Sequence, residues 1–177
     1  MQNEINYDRT LFEKYSLAEK LALGEYLIAT NPDMIHDKLL YCLKHPPKYS
    51  EIEIFRWIAN FFNETPMSLK NKGPGARKSN RVLARKVFVY IMFKFEKPHV
   101  LEDFIYENFT EQSEKLNSTE NLVKFYKELE KYTERGRTDM FHGLKSFINN
   151  IKYDKSLRNT VDLIEYYINK GLIENEG

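Results

Sequence analysis

The sequence predicts an all-α fold, and three observations carry that prediction. Apolar residues recur at intervals of three and four along most of the chain, the period of one helix face. Proline and glycine fall between those periodic runs, at Asn31-Pro32, Pro46-Pro47, Gly73-Pro74-Gly75, Lys97-Pro98 and Gly136, where helices end or begin. Period-two alternation bounded by hairpin turns is missing, so no sheet is expected.

Thr10 can cap a first helix whose Leu11, Tyr15, Ala18 and Ala22 keep helical spacing. Gly24 weakens it, and Asn31-Pro32 ends it because the residue before proline disfavours helix. A second helix is expected over 33–44, stopped by Pro46-Pro47. Ser50 and Glu53 read as a capping box opening a third, with Ile52, Phe55, Ile58 and Phe62 inward. The alternation of Ile52 and Ile54 is strand-like, but the capping signal outweighs it. Residues 66–79 form a basic linker holding glycine and proline, the best boundary in the chain.

A helix beginning near Asn80 then runs to Lys97-Pro98, apolar nearly all round from Val87 onward and so buried on most sides. A helix is expected over 100–109, followed by a polar, weakly periodic loop over 110–118. Ser118 or Thr119 starts another, with Leu122, Phe125, Tyr126 and Leu129 inward. After a turn at Arg135-Gly136-Arg137, Thr138 caps a helix over 138–153, and a last helix covers 157–169. The expected organisation is a helical partner or dimerisation region over 1–65, the linker 66–79, and a second helical domain over 80–177.

A chain of 177 residues can bury one sizeable core or two small ones, and 24 Phe and Tyr residues with Trp57 supply it generously. No apolar run approaches the roughly 18–20 residues that a bilayer requires. The first eight residues are polar, and no apolar stretch with a small-residue cleavage site follows, so no signal peptide is expected. The single Cys42 excludes an intrachain disulfide and a cysteine-rich zinc site. Its neighbours Leu39, Leu40, Tyr41 and Leu43 mark it as a core thiol, and a cytoplasmic location is expected.

The net charge of +1 hides a polarised map. Between Thr65 and Phe95 stand Lys70, Lys72, Arg77, Lys78, Arg81, Arg85, Lys86 and Lys94, with no acidic residue among them. The rest of the chain carries 19 basic against 26 acidic residues. Such segregation points to a polyanion, most often nucleic acid. Lys78, Arg81 and Arg85 share one helix face, and the glycine turn ahead of them feeds a helix start, whose amides favour phosphate.

A second feature lies in the helix over 138–152. Phe141, Leu144, Ile148 and Ile151 make an inward stripe, while Asp139, His142, Gly143, Ser146, Asn149 and Asn150 form a slim polar face. Arg135, Arg137, Lys145 and Lys152 flank that face. Short side chains that approach base edges, with cations on either side for phosphates, suit a helix entering the major groove. A glycine-bearing turn just before the helix is also the helix-turn-helix arrangement. His142 has no carboxylate or second histidine at metal-ligand spacing, so no metal site is expected there.

Together these segments resemble the C-terminal DNA-binding domain of the bacterial replication initiator DnaA. That family carries a basic loop followed by a helix of the form V-x-A-R-Q-x-x-x-Y-L, and here the chain reads Arg81-Val82-Leu83-Ala84-Arg85-Lys86-Val87-Phe88-Val89-Tyr90-Ile91. The family signature R-D-H-[ST]-T-V-[LI]-H-A is similar to Arg135-Gly136-Arg137-Thr138-Asp139-Met140-Phe141-His142-Gly143. A lysine follows at Lys145, and the stretch 150–158 is similar to the junction of the family's last two helices. The resemblance covers approximately residues 76–169, with Ala84, Arg85, Tyr90, Arg135, Thr138, His142 and Lys145 matching. It implies a Trp-repressor-like helix-turn-helix domain whose basic loop reaches phosphates and the minor groove while the signature helix enters the major groove.

Gly136 stands where the family has Asp, Arg137 where it has His, and Asp139 where it has its second Thr. These are base-reading or positioning places, so the initiator's own binding sequence should not be recognised. About 45 residues separate Tyr90 from Arg135, roughly double the family spacing, which implies an insertion near 97–133. No G-x-x-x-x-G-K-[ST] phosphate loop is present, so the family's ATPase module is missing.

The first function expected is therefore a sequence-specific double-stranded DNA-binding protein of a phage, plasmid or other mobile element, acting in replication initiation or transcriptional control. Lys72, Arg77, Lys78, Arg81, Arg85 and Lys86 would contact phosphates; Arg137, Thr138, Asp139 and His142 would read bases; Arg135 and Lys145 would flank them. About six such phosphate contacts give a salt slope near −5. The N-terminal helices would supply a homodimer or a protein partner. The alternative is a protein-binding inhibitor or adaptor on the same fold, directed at a host defence or replication protein. An enzyme is the weakest class: His36, His45, His99 and His142 are scattered, and no nucleophile elbow, metal motif or nucleotide fingerprint is present. No cofactor is expected.

Overall fold

The computed structural model describes residue 42 and residues 45–48, 50–77, 79–106 and 109–175, the last four by backbone alone. Lys78, the first expected helix and all of the second but Cys42 lie outside the described residues. Among the described residues there are eight helices and no strand, so the fold is all-α. They are α1 (Glu51–Phe61), α2 (Pro66–Lys70), α3 (Ser79–Glu96), α4 (Pro98–Tyr106), α5 (Glu111–Asn117), α6 (Glu120–Thr133), α7 (Arg137–Tyr153) and α8 (Lys155–Asn175).

The apolar run after Val87 makes α3 the central helix, as its composition requires. Val87, Phe88, Val89, Ile91, Met92 and Phe93 are all buried, each worth about 1.5–3 kcal/mol when fully removed from water. Around it pack α1, α2, α4 and α7. Aromatic pairs set their positions: Phe88 meets Phe55 of α1 at 4.9 Å, Phe93 meets Phe125 of α6 at 5.0 Å, and Tyr90 meets Phe147 of α7 at 5.4 Å between ring centres. All three are edge-on, the arrangement that ring quadrupoles favour.

In α1, Ser50 accepts a hydrogen bond from the Glu53 amide at 3.3 Å, as the capping signal implies. The inward register differs from expectation: Ile54, Phe55 and Ile58 are buried, while Ile52 is 36% exposed. At about 100° per residue Ile52 lies about 120° round the helix from Ile58, too far for one face. Cys42 is a core thiol. Its carbonyl accepts from Trp57 Nε1 at 2.9 Å, and burial pushes its thiol up to about 12.

Three further expectations are corrected. Residues 66–79 are not a free linker. Thr65 and Ser68 form a reciprocal capping box that opens α2, Leu69 is fully buried, and Ala76 is buried as well. Residues 111–117 are helical where a loop was expected. Glu111 and Glu114 favour the first turn of α5, and the polar Ser113 and Asn117 take its inward positions, which hides the apolar period. Finally, α7 starts one residue early, with Gly136 rather than Thr138 at the cap position. The Gly136 carbonyl accepts from the Met140 amide at 3.1 Å, and no side chain caps the helix.

No helix among the described residues is long and apolar enough to cross a membrane.

Candidate nucleic-acid interface

The basic loop between α2 and α3 is shaped by its own side chains. Asn71 Oδ1 accepts from the Gly73 amide at 2.7 Å, and its Nδ2 donates to the Pro74 carbonyl at 3.1 Å. The Ala76 amide then donates to the Gly73 carbonyl at 3.0 Å, closing the turn. Gly75 takes φ 82°, a left-handed conformation that glycine adopts without steric cost.

Three arginines hold this loop from below. Arg85 donates to the Leu69 carbonyl at 2.9 Å and to the Ala76 carbonyl at 2.7 Å, clamping both ends. Arg81 donates to the Gly75 carbonyl at 3.0 Å and pairs with Glu64 at 2.9 Å. Arg135, from the turn before α7, donates to the Asn71 carbonyl at 2.9 Å. The guanidinium fork suits this task because it bridges separate acceptors in one plane. Burial, with Arg135 and Arg81 close by, holds Arg85 below its ordinary value.

The same turn starts α7. Glu134 adopts φ 50°, its amide donating to the Glu130 carbonyl at 2.8 Å, and the Arg135 amide donates to Thr133 Oγ1 at 3.3 Å. Because Arg135 reaches across to Asn71, the turn and the loop are locked together. On α7, Met140, Phe141, Leu144, Phe147 and Ile148 are buried. Asp139, His142, Ser146, Asn149 and Asn150 are exposed, and Gly143 is half-buried. The slim face therefore looks outward.

Loop, α3 and α7 enclose a cleft of about 590 Å³. Lys72, Gly75 and Arg77 line it from the loop, Val82, Lys86 and Val89 from α3, and Asp139, Met140, Gly143 and Leu144 from α7. Lys86 crosses from α3 to donate to Ser146 Oγ at 3.2 Å. Lys72 and Arg77 are exposed, Lys72 standing 3.9 Å from Glu134.

The residues picked out by sequence are thus divided in two. Lys72, Arg77, Arg85, Lys86, Arg135 and Asp139 line the cleft; Thr138, His142 and Lys145 are exposed on α7, and Arg137 is half-buried at its start. Arg85 does not present its charge, since it is 9% exposed with its guanidinium bonded to two carbonyls. Arg81 and Arg135 are likewise braces. Arg81 and Arg85, expected to contact phosphates, here direct their donors to loop carbonyls and to Glu64. Missed altogether were Asn71, whose place two residues before Gly73 is an Asx-turn signal, and Glu64, one residue outside the acid-free stretch. Among the described residues no group of three or more His, Cys, Asp or Glu is arranged to hold a metal ion.

In comparisons with known proteins, no family model, no curated protein and no solved structure matches this chain.

Proposed function

We propose that this chain binds double-stranded DNA, presenting the loop over 72–77 to the sugar-phosphate backbone and the outer face of α7 to base edges in the major groove. The observation that carries the reading is adjacency. Arg135 ties the α7 turn to the loop, so the exposed loop cations Lys72 and Arg77 and the Asp139–Gly143 end of the slim helix face line the same cleft. A helix about 10–12 Å across suits a major groove about 12 Å wide. Lys72, Arg77, Lys86 and Lys145 serve as phosphate contacts; Arg137, Thr138, Asp139 and His142 serve as readers. The order of basic segment, turn and slim helix keeps the likeness to the DnaA C-terminal domain in view. A cytoplasmic, non-catalytic role in replication initiation or transcription of a mobile element fits that order.

The test is a gel shift with random-sequence duplex at moderate salt. Wild-type protein should retain duplex, and joint Lys72→Glu and Arg77→Glu substitution should abolish retention on every sequence alike. Arg137→Ala should weaken selected sites most, by about 1–3 kcal/mol, and relax the preference there. Wild-type protein that retains no duplex would overturn the proposal and leave a protein-binding adaptor as the reading to pursue.

A further inference from the structure

We propose that the cleft between the loop and α7 binds one nucleotide unit, an aromatic base carrying a phosphate. This goes beyond contact with a duplex surface, because a base paired within a helix does not enter a cleft. A volume of about 590 Å³ is within the range of small-molecule sites. Its walls are chemically divided. Val82 and Val89 of α3 with Met140 and Leu144 of α7 supply an apolar floor, which a bare phosphate would leave wet and a flat ring would cover. Lys72, Arg77 and Lys86 supply cations along the rim. Arg85 and Arg135 also line the cleft, their carbonyl bonds leaving their charge in place, and Arg81 braces the same loop with Glu64 as its paired carboxylate. An anion at the rim is therefore favoured beyond the exposed lysines alone.

Asp139 is the one carboxylate lining the cleft among the described residues, and it selects against a simple anion. A ligand that places its negative end at the rim and an N–H donor near Asp139 satisfies both. Exocyclic amines of bases are such donors, and carboxylates accept from them. The ligand is thus anionic at one end, flat and apolar in the middle, and a hydrogen-bond donor at the other. A free nucleoside monophosphate has this chemistry, and so does an unpaired nucleotide of a strand.

The experiment is a nuclear magnetic resonance titration of the full chain with adenosine, guanosine, cytidine and uridine 5′-monophosphates, with inorganic phosphate alongside. Saturable shifts confined to 72–77, 82–89 and 135–144 are expected, with at least one nucleotide bound about tenfold tighter than phosphate, the equivalent of about 1.4 kcal/mol. Arg77→Glu, at an exposed position, should weaken nucleotide binding about tenfold, and Asp139→Asn should change the ranking of the bases. Val82→Phe should fill the floor and abolish binding. Competition by a short single strand at least about tenfold stronger than by a blunt duplex, which reaches only the rim cations, assigns the site to strand nucleotides; competition by neither assigns it to the free nucleotide, and competition by the duplex as strong as by the strand overturns the proposal. Equal binding of phosphate and all four nucleotides overturns the proposal, as does an absence of saturation at about 5 mM. Neither result touches the gel-shift outcome, so the two proposals fail separately.

Discussion

Lys86 on α3 lies across Gly143 on α7. A β-carbon at Gly143 would stand 3.8 Å from Lys86 Cγ, an ordinary contact, and the Lys86 amino group reaches Ser146 Oγ at 3.2 Å. Alanine therefore fits without moving either helix. Gly143→Ala should raise stability by about 0.5–1 kcal/mol in urea denaturation, because glycine costs that much inside a helix. Duplex affinity should change by less than about twofold, a shift of under 0.5 kcal/mol. A loss of stability would show that the two helices are closer than this geometry allows.

Arg85 separates scaffold from interface. Arg85→Met leaves the Leu69 and Ala76 carbonyls without their donor and should cost about 2–3 kcal/mol of stability. Arg85→Lys keeps the charge but cannot bridge two acceptors in one plane, so it should be nearly as damaging. Both variants should leave the salt dependence of DNA binding unchanged among the molecules that remain folded. A reduced salt slope would assign Arg85 to phosphate after all.

The proposed DNA contacts predict a shallower salt slope than the six read from sequence. Setting aside the braces Arg81, Arg85 and Arg135, the described cations proposed as phosphate contacts are Lys72, Arg77, Lys86 and Lys145. Four contacts give a slope of log affinity against log salt of about −3.6. Each single neutralisation of Lys72, Arg77 or Lys145 should make it shallower by about 0.9.

Gly171 on α8 meets the chain at Pro47, where a β-carbon would stand 2.2 Å from the Pro47 carbonyl oxygen and 3.0 Å from Pro46 Cβ. Backbone cannot yield as a flexible side chain does. Gly171→Ala should cost about 1–3 kcal/mol by forcing the proline segment away from α8, despite alanine's better helix propensity. Thermal denaturation reads this directly.

Alkaline pH should destabilise the fold. Burial pushes the Cys42 thiol up to about 12 and raises Tyr126 and Tyr90 above the usual phenol range. A raised folded value means that the unfolded chain gives up these protons first. Their contribution is present in full below the unfolded values and is lost as pH rises from there towards the folded ones. Urea midpoints should hold steady to about pH 8 and fall beyond pH 9–10, near the ordinary thiol and phenol values. Cys42 should resist thiol reagents in the native protein and react once it unfolds.

Most of the helical fold was legible because amphipathic period and capping are local. Leu122, Phe125, Tyr126 and Leu129 turn inward as their spacing implies, and the apolar run after Val87 is the buried centre. Helix α5 was hidden because Ser113 and Asn117, both polar, occupy its inward positions. The slim face of α7 was legible for the same local reason: small and polar residues recur opposite an apolar stripe.

Sequence by itself determined the helical class, the cationic segment and the composition of the α7 face, since each depends on residue type and spacing along one element. Which cations face solvent was decided only in three dimensions. Arg81 and Arg85 lie within a charged run that contains no acid, yet Glu64 and the carbonyls of Leu69, Gly75 and Ala76 take up their donors. A buried guanidinium must find acceptors, and those acceptors come from chain 6 to 17 residues away, folded back over it. The cleft likewise joins the loop to α3 and α7, and Arg135 bonds a carbonyl 64 residues earlier, a pairing that no local period encodes.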